Sequence, residues 1–242
     1  ILLMRLLSPV EFGLIGMITV FSGFLNVFRD SGLGNSLIHK KELDEYDINT
    51  VFWSTLVLGF ICTITLAFLS PYIASFYDEP RLLKITIALS FLYITQSLSG
   101  IHSYLYRKKL EYKKLFIAEV TGNLLAAVTA CFLALANYGV WSLVYYQLMK
   151  AVVTTIILWL QTDFYPSFIF SFNKLKEHLS YSLPIIGTKT FNYWTRNADN
   201  LFIGKFLGSE ALGYYSRAYS IIILPVSRIS QVIGNVLFPS LS

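Results

Sequence analysis

Long uncharged runs separated by short charged islands dominate the chain. Residues 12–28 carry no charge, and the apolar run continues past Arg29 and Asp30 to position 38. Residues 48–77 are again free of charge, 82–104 carry only Lys84, and 115–162 carry only Glu119 and Lys150. A helix that crosses a bilayer needs about 20 apolar residues, so each run is long enough. The run 115–162 would extend roughly 70 Å as one helix, and the turn residues Asn137, Tyr138 and Gly139 are where it is expected to fold back. Residues 1–7 read as the tail of an earlier span, ended by Ser8 and Pro9. A polar and aromatic connector follows at 163–179, then a hairpin of two apolar helices, 180–207 and 211–240, joined by a turn at 207–213. The pattern predicts an all-α, polytopic membrane bundle of seven full spans and one truncated span. Its expected parts are an N-terminal transmembrane lobe at 1–162, a cytoplasmic connector at 163–179 and the start of a second lobe at 180–242.

Composition narrows this further. Hydrophobic residues make up 55% and charged residues 14% of the chain, a balance that excludes a soluble globular domain and a disordered one. The formal charge of +5 does not call for nucleic acid as a partner, because the lysines and arginines gather in three loops, 39–47, 105–114 and 163–179. The positive-inside rule places these loops in the cytoplasm, which makes the protein a multi-pass membrane protein. The opposite loops are too short to house an extracellular catalytic domain. Cys62 and Cys131 lie mid-span without the spacing of a metal site, and the three histidines share no ligand spacing either. Neither a Walker-type phosphate loop nor a nucleophile elbow is present in the sequence, so neither ATP hydrolysis nor acyl transfer is supported. No cofactor or metal is expected.

The residues that break the apolar pattern point to an anionic passenger. Lys189, Asn192, Arg196 and Asp199 or Asn200 share one helical face, since steps of three, four and seven return to the same side. Arg217, Ser220, Leu224, Ser227 and Arg228 form a second stripe. Charges inside apolar helices are expensive and normally face a bundle interior or a wet cavity. Within the spans, Arg29, Lys150, Lys189, Arg196, Arg217 and Arg228 outnumber Asp30, Glu119 and Asp199. A net cationic interior suits an anion better than an organic cation. The chain also repeats itself weakly: RLLSPVEFG at 5–13 and KFLGSEALG at 205–213 align at an offset of 200. An even number of predicted spans separates the copies, so both would run the same way through the membrane, as in transporters built from parallel repeats.

The pieces LLSPVEFGLIGM at 6–17, FRDSGLG at 28–34, RNADNLFIGKFLGSEALGYYSRAY at 196–219, and LPVSRI with NVLFPSLS at 224–242 resemble the Wzx-type polysaccharide flippases. These belong to the multidrug/oligosaccharidyl-lipid/polysaccharide exporter superfamily, and the likeness is strongest to the colanic and teichuronic acid branch. It covers essentially the whole chain. Members are about twice as long, so the resemblance implies a fragment: a first six-helix lobe lacking most of its first helix, plus the first two helices of the second. It implies polysaccharide export by alternating access, with a polyprenyl-pyrophosphate-linked oligosaccharide as passenger. It further implies membrane lipids, a polysaccharide polymerase and a chain-length regulator as partners.

Under that resemblance Arg196 and Lys189 become candidate pyrophosphate contacts, because guanidinium and ammonium groups make charge-assisted hydrogen bonds to phosphate. The competing reading of Arg196 is a packing pair with Asp199, one turn on. Arg228, beside Pro225, Arg29 and Asn192 complete the polar candidates, and Trp194 is the aromatic one, open to sugar stacking or to plain lipid and core contact. Arg217 reads as a snorkelling residue at the outer boundary. Asp199, Glu119 and Asp30 are the candidates for ion coupling, each with packing as its alternative. Adjacent helical residues point about 100° apart, so Arg29 and Asp30 are not expected to face one cavity squarely. A transporter needs no covalent chemistry, so no enzymatic activity is expected. The rivals are an efflux transporter for small organic molecules, against which the cationic interior argues, a membrane polymerase or ligase, which would need a sizeable outer loop, and a non-transporting scaffold of the assembly machinery.

Overall fold

The computed structural model describes residues 2–30 and 32–240, with their side chains except those at 2, 4 and 223–240. Every regular element among the described residues is a helix: α1 (Leu2–Leu6), α2 (Pro9–Arg29), α3 (Leu33–His39), α4 (Glu45–Tyr77), α5 (Arg81–Lys108), α6 (Tyr112–Leu135), α7 (Val140–Leu160) and α8 (Phe172–Ser240). Five of them, α2, α4, α5, α6 and α7, are long and apolar enough to cross a membrane. Seven full spans were expected, and the difference is α8. Lys189, Arg196, Asp199 and Lys205 interrupt the apolar sequence of its first half, whereas residues 221–238 of its second half carry Arg228 as their single charge.

Local chemistry sets the boundaries. Pro9 opens α2, where a missing N–H costs nothing, and the Ser8 amide donates to the Glu11 carboxylate (2.6 Å) in a capping box. The uncharged run that continues past position 28 does not form one span. α2 ends at Asp30, and Gly32 adopts the left-handed conformation (φ 80°) that starts the separate helix α3. Left-handed Asp78 and Asn137, followed by Gly139, make the turns α4–α5 and α6–α7, the second at the expected place. Inside α4, Pro71 lacks the N–H that would bond Ala67, and the Ser70 hydroxyl donates to that carbonyl instead (2.7 Å).

α8 is two arms, 172–207 and 209–240, that meet at non-helical Gly208. The Tyr215 hydroxyl donates to the Asp199 carboxylate. Sixteen residues of continuous helix would hold these groups about 24 Å apart, so the arms fold back on each other. The expected hairpin is present, but its turn is one glycine rather than seven residues.

The faces are those of a membrane bundle. Phe68, Val128 and Phe132 are each about 70% exposed, while α6 turns Ala118, Gly122, Ala126, Ala130 and Ala134 inward at every fourth position. Small residues let helix backbones approach closely where there is no hydrophobic gain from association. Polar side chains reach neighbouring backbones: Tyr93 to the Ser22 carbonyl, Thr63 to Ser90, Trp159 to Leu98. The three basic loops come together at one end. There Asp47, fully buried, faces Lys40 (2.9 Å), Lys174 (3.2 Å) and His178 Nε2 (3.3 Å), and His178 Nδ1 lies 2.6 Å from the Ser36 hydroxyl. The acidic partners raise the Lys174 ammonium above its ordinary range. Burial pulls the His178 imidazole below its ordinary value against the opposing pull of Asp47.

At the opposite end the two copies of the sequence repeat touch reciprocally. Gly13 of α2 lies so close to the second arm of α8 that an added Cβ would sit 1.7 Å from the Ser209 carbonyl oxygen. Gly213 lies equally close to α2, with a Cβ there 1.8 Å from the Pro9 carbonyl oxygen. Positions 9 and 13 thus meet 213 and 209, their own counterparts at the offset of 200. That is the exchange of partners a two-fold relation produces. Nearby, Arg217 donates to the Leu7 carbonyl (2.9 Å) and stacks over the Phe12 ring (4.2 Å). It is a lock between helices rather than a snorkelling side chain.

Candidate functional site

Between α2 and the first arm of α8 lies an open cleft of about 490 Å³. α2 contributes Asn26, Arg29 and Asp30; α8 contributes Lys189, Asn192, Arg196 and Asn197. The two helices run antiparallel and stay close because Gly23 leaves room for Tyr193, whose hydroxyl lies within hydrogen-bond distance of the Thr19 and Val20 carbonyls (2.9 and 2.7 Å) and shares its one proton between them. Tyr193 therefore forms the floor of the cleft, and the stripe on its flanks points into it.

The charges are unevenly spent. Asp30 accepts from Lys189 (3.1 Å to Oδ2) and from the Tyr104 hydroxyl (2.6 Å to Oδ1), and Lys189 also donates to the Asp30 carbonyl (2.9 Å). One carboxylate thus neutralises one ammonium and ties α2, α5 and α8 together. Arg29 donates to the amide oxygen of Asn26 (3.1 Å). Among the described residues neither Arg29 nor Arg196 has a carboxylate within ion-pair distance. Two guanidiniums from opposed helices are left facing a half-open volume, an arrangement suited to bidentate recognition of phosphate or carboxylate.

Of the residues singled out from sequence, Arg29, Asp30, Lys189, Asn192 and Arg196 meet in this cleft. Arg29 and Asp30 both line it despite being adjacent, because Asp30 is the C-cap of α2 and has left helical geometry (φ −86°, ψ 45°). Trp194 lies elsewhere. It packs on Phe24 (5.3 Å between rings) and lines a separate apolar pocket with Phe21, Tyr72, Phe76 and Leu201. Asp199 does not pair with Arg196 among the contacts described; Tyr215 and the Asn200 amide occupy its carboxylate. Glu119 and Lys150 line a third cavity, between α5, α6 and α7, of about 410 Å³. The side chain of Arg228 lies outside the described residues. Asn26 and Asn197 were not foreseen, because a search for charges passes over amides.

A fourth cavity, of about 300 Å³, shares Arg29 and Asp30 with the cleft and runs between α2, α3, α4 and α5 towards Arg107. It too was missed.

Comparison with known proteins gives these cavities a context. At 28% identity over 221 residues, the chain is similar to the teichuronic acid biosynthesis protein TuaB of Bacillus subtilis, covering 89% of this chain and 45% of TuaB. It is 26% identical over 240 residues to the succinoglycan biosynthesis transport protein ExoT of Rhizobium meliloti, covering 99% of this chain and 48% of ExoT. To the lipopolysaccharide biosynthesis protein WzxC of Escherichia coli it is 25% identical over 242 residues, covering 98% of this chain and 49% of WzxC. The chain spans about half the length of these relatives. No solved structure matches it. The model of the family described as polysaccharide biosynthesis protein matches residues 2–242, so this multi-pass membrane chain belongs to that family.

Proposed function

We propose that this chain forms the first lobe, and the start of the second, of a transporter that moves a lipid-linked oligosaccharide across the bacterial inner membrane. The observation that carries the reading is the cleft between α2 and α8, lined by both Arg29 and Arg196, which have no carboxylate partner among the described residues. A polyprenyl pyrophosphate carries several negative charges in a compact group, and guanidiniums in a site within the membrane bind such a group more strongly than they would in bulk solvent. The amides of Asn26, Asn192 and Asn197 add donors and acceptors for the sugars next to it. The prenyl tail stays in lipid, and relative rocking of the two lobes exposes the cleft to either side. No bond is made or broken in the passenger, so the reading is transport rather than catalysis. The printed names of the relatives, which speak of teichuronic acid, succinoglycan and lipopolysaccharide biosynthesis and, for ExoT, of transport, agree with it. A polymerase and a chain-length regulator would be the downstream partners.

The test uses the full-length parent protein in cells lacking their own flippase. Surface polysaccharide is quantified for Arg196→Ala and Arg196→Lys at matched membrane abundance. Loss with alanine and partial recovery with lysine is the expected pattern. Full export by both variants would remove Arg196 from the passenger's path and overturn the cleft as the binding site.

A further inference from the structure

The cavity beside the cleft has the lining of a second ligand site. On α5, Gln96, Ser99, Ser103 and Arg107 follow one another at steps of three and four, so they form a single polar stripe along one face, with Gly100 beside it. That stripe faces the cavity together with Thr55 of α4 and Arg29 of α2. Hydroxyls and amides placed this way inside a helical bundle normally reach a backbone or each other. One beside the cavity does not: the Ser97 hydroxyl, on a residue only 2% exposed, packs against Gly59 of α4 without a hydrogen-bond partner. A second observation is independent of it. A Cβ built on Gly100 meets no atom within 4 Å, so the glycine opens onto free volume instead of receiving a neighbouring helix.

Charge gives the volume its sign. Arg29 stands at the inner end, shared with the cleft, and exposed Arg107 stands at the mouth, 5.9 Å above the Tyr104 ring. Asp30, the cavity's carboxylate, is already held by Lys189 and by Tyr104. Among the described residues Arg107, like Arg29, has no carboxylate within ion-pair distance. A volume of about 300 Å³ is at the small end of ligand pockets. Its wall is rich in hydroxyl and amide groups, unlike the lipid-facing surfaces of the bundle.

We propose that this cavity binds one anionic sugar unit, a monosaccharide bearing a carboxylate or a phosphate. Arg107 takes the anion, Arg29 adds positive charge at the other end, and the polar stripe of α5 takes the hydroxyls. The biological ligand rests on the transport reading: a passenger whose pyrophosphate lies in the cleft passes Arg29 and has its neighbouring sugar in this cavity. The binding itself does not depend on export.

The test places a reporter cysteine where the free volume is. In the full-length parent protein with Cys62→Ala and Cys131→Ala, Gly100→Cys is labelled in inverted membrane vesicles with a small membrane-impermeant thiol reagent. Ser103→Cys, one turn along, serves as a second reporter. The probes are glucuronate, glucose 1-phosphate, glucose and inorganic pyrophosphate. The expected result is labelling that glucuronate, glucose 1-phosphate or both slow, that glucose and pyrophosphate slow much less, and that Arg107→Gln shifts to about tenfold higher probe concentration, as loss of a charge-assisted hydrogen bond requires. Which of the two sugars protects better tells a carboxylate site from a phosphate site. Absence of labelling at both reporters, equal protection by glucose, equal protection by pyrophosphate, or protection unchanged by Arg107→Gln would each overturn the proposal. Protection that persists while Arg196 variants export normally would sink the cleft reading and leave this site standing.

Discussion

The reciprocal contact of the repeat can be tested by adding one methyl group on either side of it. Gly13→Ala puts a Cβ 1.7 Å from the Ser209 carbonyl oxygen, and Gly213→Ala puts one 1.8 Å from that of Pro9. Real Cβ contacts essentially never fall below 3.0 Å, so the two backbones must separate by about 1.3 Å. Both opposing atoms belong to main chain and cannot rotate away. Overpacking of this kind costs about 1–3 kcal/mol, and more when side chains cannot adjust. At about 2–4 °C per kcal/mol for a chain of this size, the top of that range lowers the melting temperature by about 6–12 °C. Gly100→Ala and Gly187→Ala are the controls, since an added Cβ at either meets nothing within 4 Å. Both lie within helices, so alanine there is favourable by up to about 1 kcal/mol in propensity. The sign of the effect therefore differs between test and control. The double variant Gly13→Ala, Gly213→Ala adds a diagnostic. One separation of the helices relieves both clashes, so the pair should cost clearly less than the sum of the singles. Thermal unfolding of the purified protein in detergent, followed by loss of the monodisperse elution peak, measures all five variants. If Gly13→Ala melts with Gly100→Ala, or the double variant is strictly additive, the two helices do not pack here as described.

Further expectations concern the basic end and the cleft. Asp47→Ala removes the shared partner of Lys40, Lys174 and His178, and because Lys40 keeps Glu177 and Lys174 keeps Asp44 the loss is that of charge-assisted hydrogen bonds, about 1–3 kcal/mol, readable in the same melting assay. His178 is held below its ordinary value by burial against the pull of Asp47, so the folded protein takes up this proton later than the unfolded one. Stability should be full above about pH 6.5 and decline as the pH falls below it, and His178→Gln should flatten that part of the curve. Ser70→Ala removes the hydroxyl that satisfies the carbonyl freed by Pro71 and should cost about 1 kcal/mol. Asp30→Asn releases Lys189 and weakens the tie to Tyr104. Export by the full-length parent protein should fall even though the cleft becomes more cationic, and unchanged export would show that the tie does not shape the site.

What could be read from the sequence divides along physical lines. Helices, turns and the gathering of basic loops at one end follow from local patterns: apolar length, Pro at a start, Gly and Asn where the chain turns left-handed. The cleft was legible for a related reason, since Lys189, Asn192 and Arg196 share a face by helical spacing alone. The partners across the cleft were not fully legible. That Arg29 and Asp30 both reach it depends on Asp30 leaving helical geometry ahead of Gly32, a break the uncharged run past position 28 conceals although Gly32 marks it. Trp194 sits two residues from Arg196 and was weighed with it, yet adjacent faces of one helix pack on different things. Its ring went to Phe24 and the apolar pocket. Asp199 was matched with Arg196 by spacing, whereas its carboxylate found Tyr215, whose approach depends on a reversal at Gly208 that shortens a 24 Å separation to contact. The polar stripe Gln96, Ser99, Ser103, Arg107 obeys the same helical spacing as the charged one. Charges alone do not mark it, and serine hydroxyls are common enough in spans to pass as backbone partners. What distinguishes this stripe is the cavity it faces and the open space at Gly100, and both are properties of packing.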